Sequence, residues 1–69
     1  MEFQLKGHEY IELKNLLKMM DLVNSGGEAK HIIRAGEVTV DGDVELRPGK
    51  KLRAGEIVVC SGQQITIKE

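Results

Sequence analysis

The chain has no tryptophan, a single phenylalanine (Phe3) and a single tyrosine (Tyr10). So few aromatics disfavour a base-stacking platform for single-stranded nucleic acid. One cysteine, Cys60, excludes an internal disulfide framework; it suits a reducing compartment and the role of a small core hydrophobe. That cysteine and two separated histidines, His8 and His31, give no metal-ligand spacing, so neither metal nor cofactor is expected. No apolar run approaches the roughly 20 residues of a membrane span, and the opening MEFQLKGHEY lacks an apolar signal core. A cytoplasmic protein with no membrane partner is therefore expected. No repeat, linker or low-complexity segment interrupts the chain, and residues 1–69 read as one domain. A domain this small buries only roughly 60% of its unfolded surface, so its core is thin.

A large excess of cations is missing too. The net charge is −1, which gives no global support to nucleic-acid binding. The charge is unevenly spread: residues 1–29 sum to −2, residues 30–53 to +2 and residues 54–69 to −1. The positive middle, with Lys30, Arg34, Arg47, Lys50, Lys51 and Arg53, can attract phosphate whatever the total.

Catalytic signals are equally sparse, and no enzyme is expected. Cys60 and Ser61 fall in a strand and its turn without a local His or Asp partner, so a reactive Cys60 would need a histidine brought in by the fold. Gly26-Gly27 lacks the glycine spacing and following Lys-Ser/Thr of a phosphate loop.

What is present is a legible order of elements. Phe3 and Leu5 alternate in a half-buried strand over Glu2–Lys6. Leu13, Leu16, Leu17 and Met20 follow the i, i+3, i+4, i+7 pattern of a helix near Glu12–Met20, with Leu22 and Val23 packing in the loop behind it. Ser25 and Glu28 form a capping box: the hydroxyl accepts from one orphan N–H while the carboxylate reaches back to another. Ala29, Ile32 and Ile33 are the buried stripe of this second helix, and Gly36 is its left-handed stop. Val38 and Val40 then alternate into an Asp41-Gly42 hairpin turn, with Val44 and Leu46 continuing the return strand. Arg47-Pro48-Gly49-Lys50 reads as a loop, Ile57–Cys60 as a buried strand, Ser61-Gly62 as a turn, and Ile65 and Ile67 as a last strand. The fold class is α+β: two packed helices against a small, curved, mostly antiparallel sheet.

Helical geometry gathers Gly27, Lys30, His31 and Arg34 on the outer face of the second helix. A solvated face accounts for Lys30 and Arg34 without any function, and loop solubility accounts for Lys50, Lys51 and Arg53. Gly26 and Gly27 admit two readings. They let the second helix approach the first closely, or they leave bare N–H groups and a positive dipole end for an anion. Phosphate contacts from these groups would give salt-sensitive affinity, and recognition of folded RNA by shape fits the composition better than base stacking.

In their order, Leu13-x-x-Leu16-Leu17, Ser25-x-x-Glu28-Ala29-x-x-Ile32-Ile33-x-x-Gly36-x-Val38-x-Val40-Asp41-Gly42 and Leu52-x-x-Gly55-Glu56-x-Val58 resemble the S-four RNA-binding domain, whose helix–helix–hairpin core is the αL motif. The match spans about residues 11–60. Ser-Gly-Gly-Glu-Ala-Lys and the Arg47…Gly49-Lys50-Lys51-Leu52 segment look most like the short stand-alone bacterial members of the YbcJ/YaaA type. The chain departs from the family pattern at Gly26, where many members carry a basic residue, at Pro48, where close relatives often have arginine, and at Asp41, which replaces an Asn. The resemblance implies a non-catalytic protein that docks structured RNA, with ribosomal RNA or a precursor the expected class. It assigns that role to Ser25, Gly26, Gly27, Lys30, His31 and Arg34, with Arg47, Lys50 and Lys51 alongside. A part in ribosome assembly or RNA metabolism follows from the resemblance, and nothing in the sequence demands more than a monomer. The rival reading is a protein-interaction adaptor that uses the acidic first third (Glu2, Glu9, Glu12, Asp21) or an exposed sheet edge.

Overall fold

A computed structural model describes all 69 residues. Two sheets and two helices follow in the order β1 (Glu2–Gln4), β2 (Ile11–Glu12), α1 (Leu13–Met19), α2 (Gly26–Arg34), β3 (Val38–Val40), β4 (Asp43–Val44), β5 (Lys51–Leu52), β6 (Ile57–Cys60) and β7 (Gln63–Lys68). The main sheet runs β1-β7-β6-β3-β4, and β2 pairs with β5 in a second, two-stranded sheet. Only β1 and β7 are parallel, with Phe3 opposite Ile67. The α+β class and the mostly antiparallel sheet expected from the sequence are both present.

Fourteen side chains are buried, and every one is hydrophobic. Leu13, Leu16 and Leu17 of α1 meet Ala29 and Ile33 of α2 and the inward row Val40–Val58–Ile65 of the sheet. Burial of such side chains, at roughly 1.5–3 kcal/mol for each large one, is the main force holding so small a fold together. Ile32, expected in the buried stripe, is half-buried at its margin.

The caps of α2 are local and legible. Ser25 Oγ accepts the Glu28 N–H (3.2 Å). Glu28 Oε1 accepts from Asn24 N–H (2.8 Å), one residue earlier than a capping box places it. At the other end Gly36 takes φ +83°. The Gly36 and Glu37 N–H groups then donate to the Ile33 and Ile32 carbonyls, a Schellman closure. In the hairpin that follows, Asp41 and Gly42 both have positive φ, as a two-residue turn matched to strand twist requires. Asp41 Oδ1 also accepts the Ile57 N–H (2.9 Å), tying the turn to the start of β6.

Three expectations need correction. β1 stops at Gln4 because Lys6 and Gly7 enter the left-handed region and turn the chain. β4 ends at Val44, and Leu46 is outside it; the Arg47 N–H donates to the Glu45 carboxylate (3.1 Å), a local bond that replaces further ladder pairing. β6 is not buried throughout: Val58 and Cys60 face the core, but Ile57 and Val59 face outward, because only one side of the sheet is covered. The loop over Arg47–Lys50 is present as expected, and it leads into β5, which forms a two-residue ladder with β2. Helix α1 has no side-chain N-cap. Instead, the Leu13 and Lys14 N–H groups donate to the Lys50 and Pro48 carbonyls at 2.9 and 3.0 Å, so this loop does the capping.

Candidate nucleic-acid interface

Helix α2 packs Ala29 and Ile33 inward, which forces the residues at complementary positions outward. Gly27, Lys30, His31 and Arg34, with Ala35, line a shallow cleft of about 530 Å³. The molecule's ion pairs are Lys14–Glu12, Arg47–Glu45, Lys50–Glu56 and Arg53–Glu9. Lys30 and Arg34 have no part in them, so two adjacent, exposed cations on one rigid helix face lack any internal counterion.

The two glycines above this face are not there for packing. A Cβ on Gly26 would come no closer than 4.0 Å to Lys18 Cδ, and one on Gly27 no closer than 3.8 Å to Ser25 Oγ. Neither takes a positive φ. Close helix–helix approach therefore does not account for them, and the helix start stands open to an anion. Ser25 keeps the cap with its oxygen lone pair, which leaves its hydroxyl proton to donate outward.

The second group is arranged differently. Arg47 grips Glu45 with two bonds, Nε to Oε2 at 2.9 Å and Nη2 to Oε1 at 3.2 Å. That hydrogen bond holds the Glu45 carboxyl below its ordinary value and raises the Arg47 guanidinium above its own. Lys50 Nζ lies 3.8 Å from Glu56, and Lys51 Nζ sits 5.0 Å from the centre of the Tyr10 ring. The segment from Arg47 to Lys51 is fixed to the start of α1, and no hydrogen bond or ion pair joins it to α2. The fold thus brings together Gly27, Lys30, His31 and Arg34 in one cleft, while Arg47, Lys50 and Lys51 engage carboxylate or aromatic partners elsewhere than on α2. Lys18 is a neighbour that the sequence does not announce: its stem reaches the start of α2 only because the two helices pack, and no local pattern reports that. Cys60 is buried, and its thiol has Ser61 Oγ, at 3.7 Å, as its side-chain hydrogen-bond partner rather than a histidine.

The family model for the S4 domain matches residues 3–68, nearly the whole chain. The chain belongs to the S4-domain family. Among S4-family relatives, YbcJ of Escherichia coli (strain K12) is 40% identical over 65 residues, covering 94% of this chain and 93% of YbcJ. RlbA of Bacillus subtilis (strain 168) is 39% identical over 54 residues, 78% of this chain and 76% of RlbA. YbcJ carries the provisional name of an RNA-binding protein, and RlbA that of a ribosome maturation protein. The solution structure of YbcJ from E. coli, described as revealing an αL motif involved in RNA binding, superposes with a TM-score of 0.76 at 38% identity. It covers 99% of this chain and 86% of that one. This S4 domain therefore has the αL architecture that its sequence pattern resembles.

Proposed function

We propose that this protein binds structured RNA, with ribosomal RNA or its precursor as the target, through the outer face of α2, and that it does so as a non-catalytic cytoplasmic monomer in ribosome assembly. The observation that carries this reading is the cleft in which Lys30, His31 and Arg34 converge beneath an open helix start with no internal anion to neutralise them. Lys30 and Arg34 take adjacent phosphates, and the Gly26–Gly27 amides and the Ser25 hydroxyl donate to a third oxygen at the positive end of the helix. Arg47, Lys50 and Lys51 join by exchanging their internal partners for phosphate. The names of YbcJ and RlbA support RNA binding and a ribosomal setting respectively.

The test is a titration of fluorescently labelled ribosomal RNA hairpins at several salt concentrations. The Lys30→Ala/Arg34→Ala variant is expected to bind more weakly and to lower the slope of log affinity against log salt by about 2, one unit for each phosphate no longer neutralised. Unchanged affinity and slope would remove the α2 face from the mechanism.

The adaptor reading has one observation in its favour: Val44 and Leu46 stand 58% and 55% exposed beside the β4 edge. Salt-insensitive binding of hairpins, together with capture of a protein through that edge, would favour it.

A further inference from the structure

A groove of about 650 Å³ lies between β1, the segment leading into β2, and α1. The only phenylalanine and the only tyrosine of the chain both line it, together with His8. Few aromatics argue against an extended stacking platform, yet the fold concentrates three of its four planar ring side chains, His31 being the exception, in one concavity. Met19, 64% exposed, forms part of its apolar wall. Asn15 and Glu12, whose side chains end in groups able to read a base edge, also line it; the Glu12 carboxylate lies 3.9 Å from Lys14 Nζ and 3.9 Å from where a Gly49 Cβ would stand.

The rim is cationic and continuous with the proposed RNA face on two sides. Lys18 lines the groove, and its Cδ lies 4.0 Å from the point where a Gly26 Cβ would stand, at the start of α2. Tyr10 lines it as well, and carries Lys51 Nζ 5.0 Å and Arg53 Cζ 5.7 Å from its ring centre. A base in the groove would therefore have its phosphates beside cations. Glu12, 3.9 Å from Lys14, and Glu9, paired with Arg53, are the carboxylates nearby.

We propose that this groove receives one unpaired nucleobase of the bound RNA, stacked among Phe3, His8 and Tyr10 and read at its edge by Asn15 and Glu12. The proposal rests on the RNA reading above. Turned into the groove, the Glu12 carboxylate would accept from an exocyclic amine, which adenine, cytosine and guanine possess, whereas uracil offers only its ring N3–H, so the groove favours an amine-bearing base over uracil.

The experiment is an NMR titration of the full, isotope-labelled chain with hexaadenylate, hexauridylate, an abasic ribose-phosphate hexamer and a blunt RNA duplex. Hexaadenylate is expected to shift the ring signals of Phe3, His8 and Tyr10 and the Met19 methyl saturably, with hexauridylate weaker and the abasic hexamer silent at those signals. Tyr10→Ala is expected to weaken hexaadenylate binding about tenfold. His8→Ala, at an exposed position, gives a second reading of the groove should Tyr10→Ala disturb the fold. Groove signals that move equally with the abasic hexamer, or that move with protein concentration alone as a second copy enters, overturn the proposal. Shifts confined to the Lys30–Arg34 face with every RNA overturn the groove and leave the RNA reading standing. No shift on either face with any RNA overturns both.

Discussion

Gly26 starts a helix without a side chain where a side chain would fit. A methyl there makes ordinary contact with the flexible Lys18 stem, and the backbone needs no positive φ. Gly26→Ala is therefore expected to stabilise the fold by about 0.5 kcal/mol, since glycine loses more backbone freedom on folding. In a chain of this size that is a Tm rise of about 2–4 °C in a thermal melt followed by circular dichroism. A lower Tm would show that the fold itself needs glycine here. Lys30, His31 and Arg34 were legible in the sequence because a helical period is local: the positions of Ala29 and Ile33 dictate which neighbours face out. The partners of Arg47 and Lys51 were not. Arg47 stands two residues from the carboxylate it grips, which no periodicity marks, and Lys51 meets Tyr10 only once β5 pairs with β2.

Whole elements were legible where termini carry their own chemistry. Ser25 and Gly36 punctuate α2, and Asp41-Gly42 places the hairpin, because caps and turns are satisfied within a few residues. The ladders β2–β5 and β1–β7 were not, since two-residue strands and a parallel pairing of the chain's two ends leave no local pattern. The β4-to-β5 connection is held instead by the Glu45–Arg47 clamp, and it brings a pH dependence. Glu45 has its carboxyl lowered in the folded state by the Arg47 hydrogen bond, with burial acting in the opposite sense. Its stabilisation is therefore present above the ordinary value of 4.5 and is lost as pH falls through the lower, folded value. Glu45→Gln is expected to be less stable than the parent near neutral pH and to converge with it in acid, once the Glu45 carboxyl is protonated in the folded state, measured by urea unfolding at neutral and at acid pH. Because the Arg47 side chain is exposed, added salt should narrow the difference. An equal gap at both pH values would remove the clamp from the acid response.

The whole molecule carries almost no net charge, yet its cations differ in kind. Arg47, Lys50 and Arg53 are matched by Glu45, Glu56 and Glu9, and the α2 pair is not. At distances beyond the Debye length, about 10 Å at 0.1 M salt, an approaching RNA meets a nearly neutral body and feels little pull. Stopped-flow association with an RNA hairpin is expected to fall in the unsteered range of about 10⁵–10⁷ M⁻¹s⁻¹ and to vary little with salt. A rate near 10⁹ M⁻¹s⁻¹ that collapses with salt, the approximate signature of electrostatic steering, would contradict this. The unmatched pair acts only after contact, when Lys30 and Arg34 are within reach of phosphate. Salt then governs how long the complex lasts more than how fast it forms. Such a protein passes over most RNA it meets and lingers only where the surfaces fit.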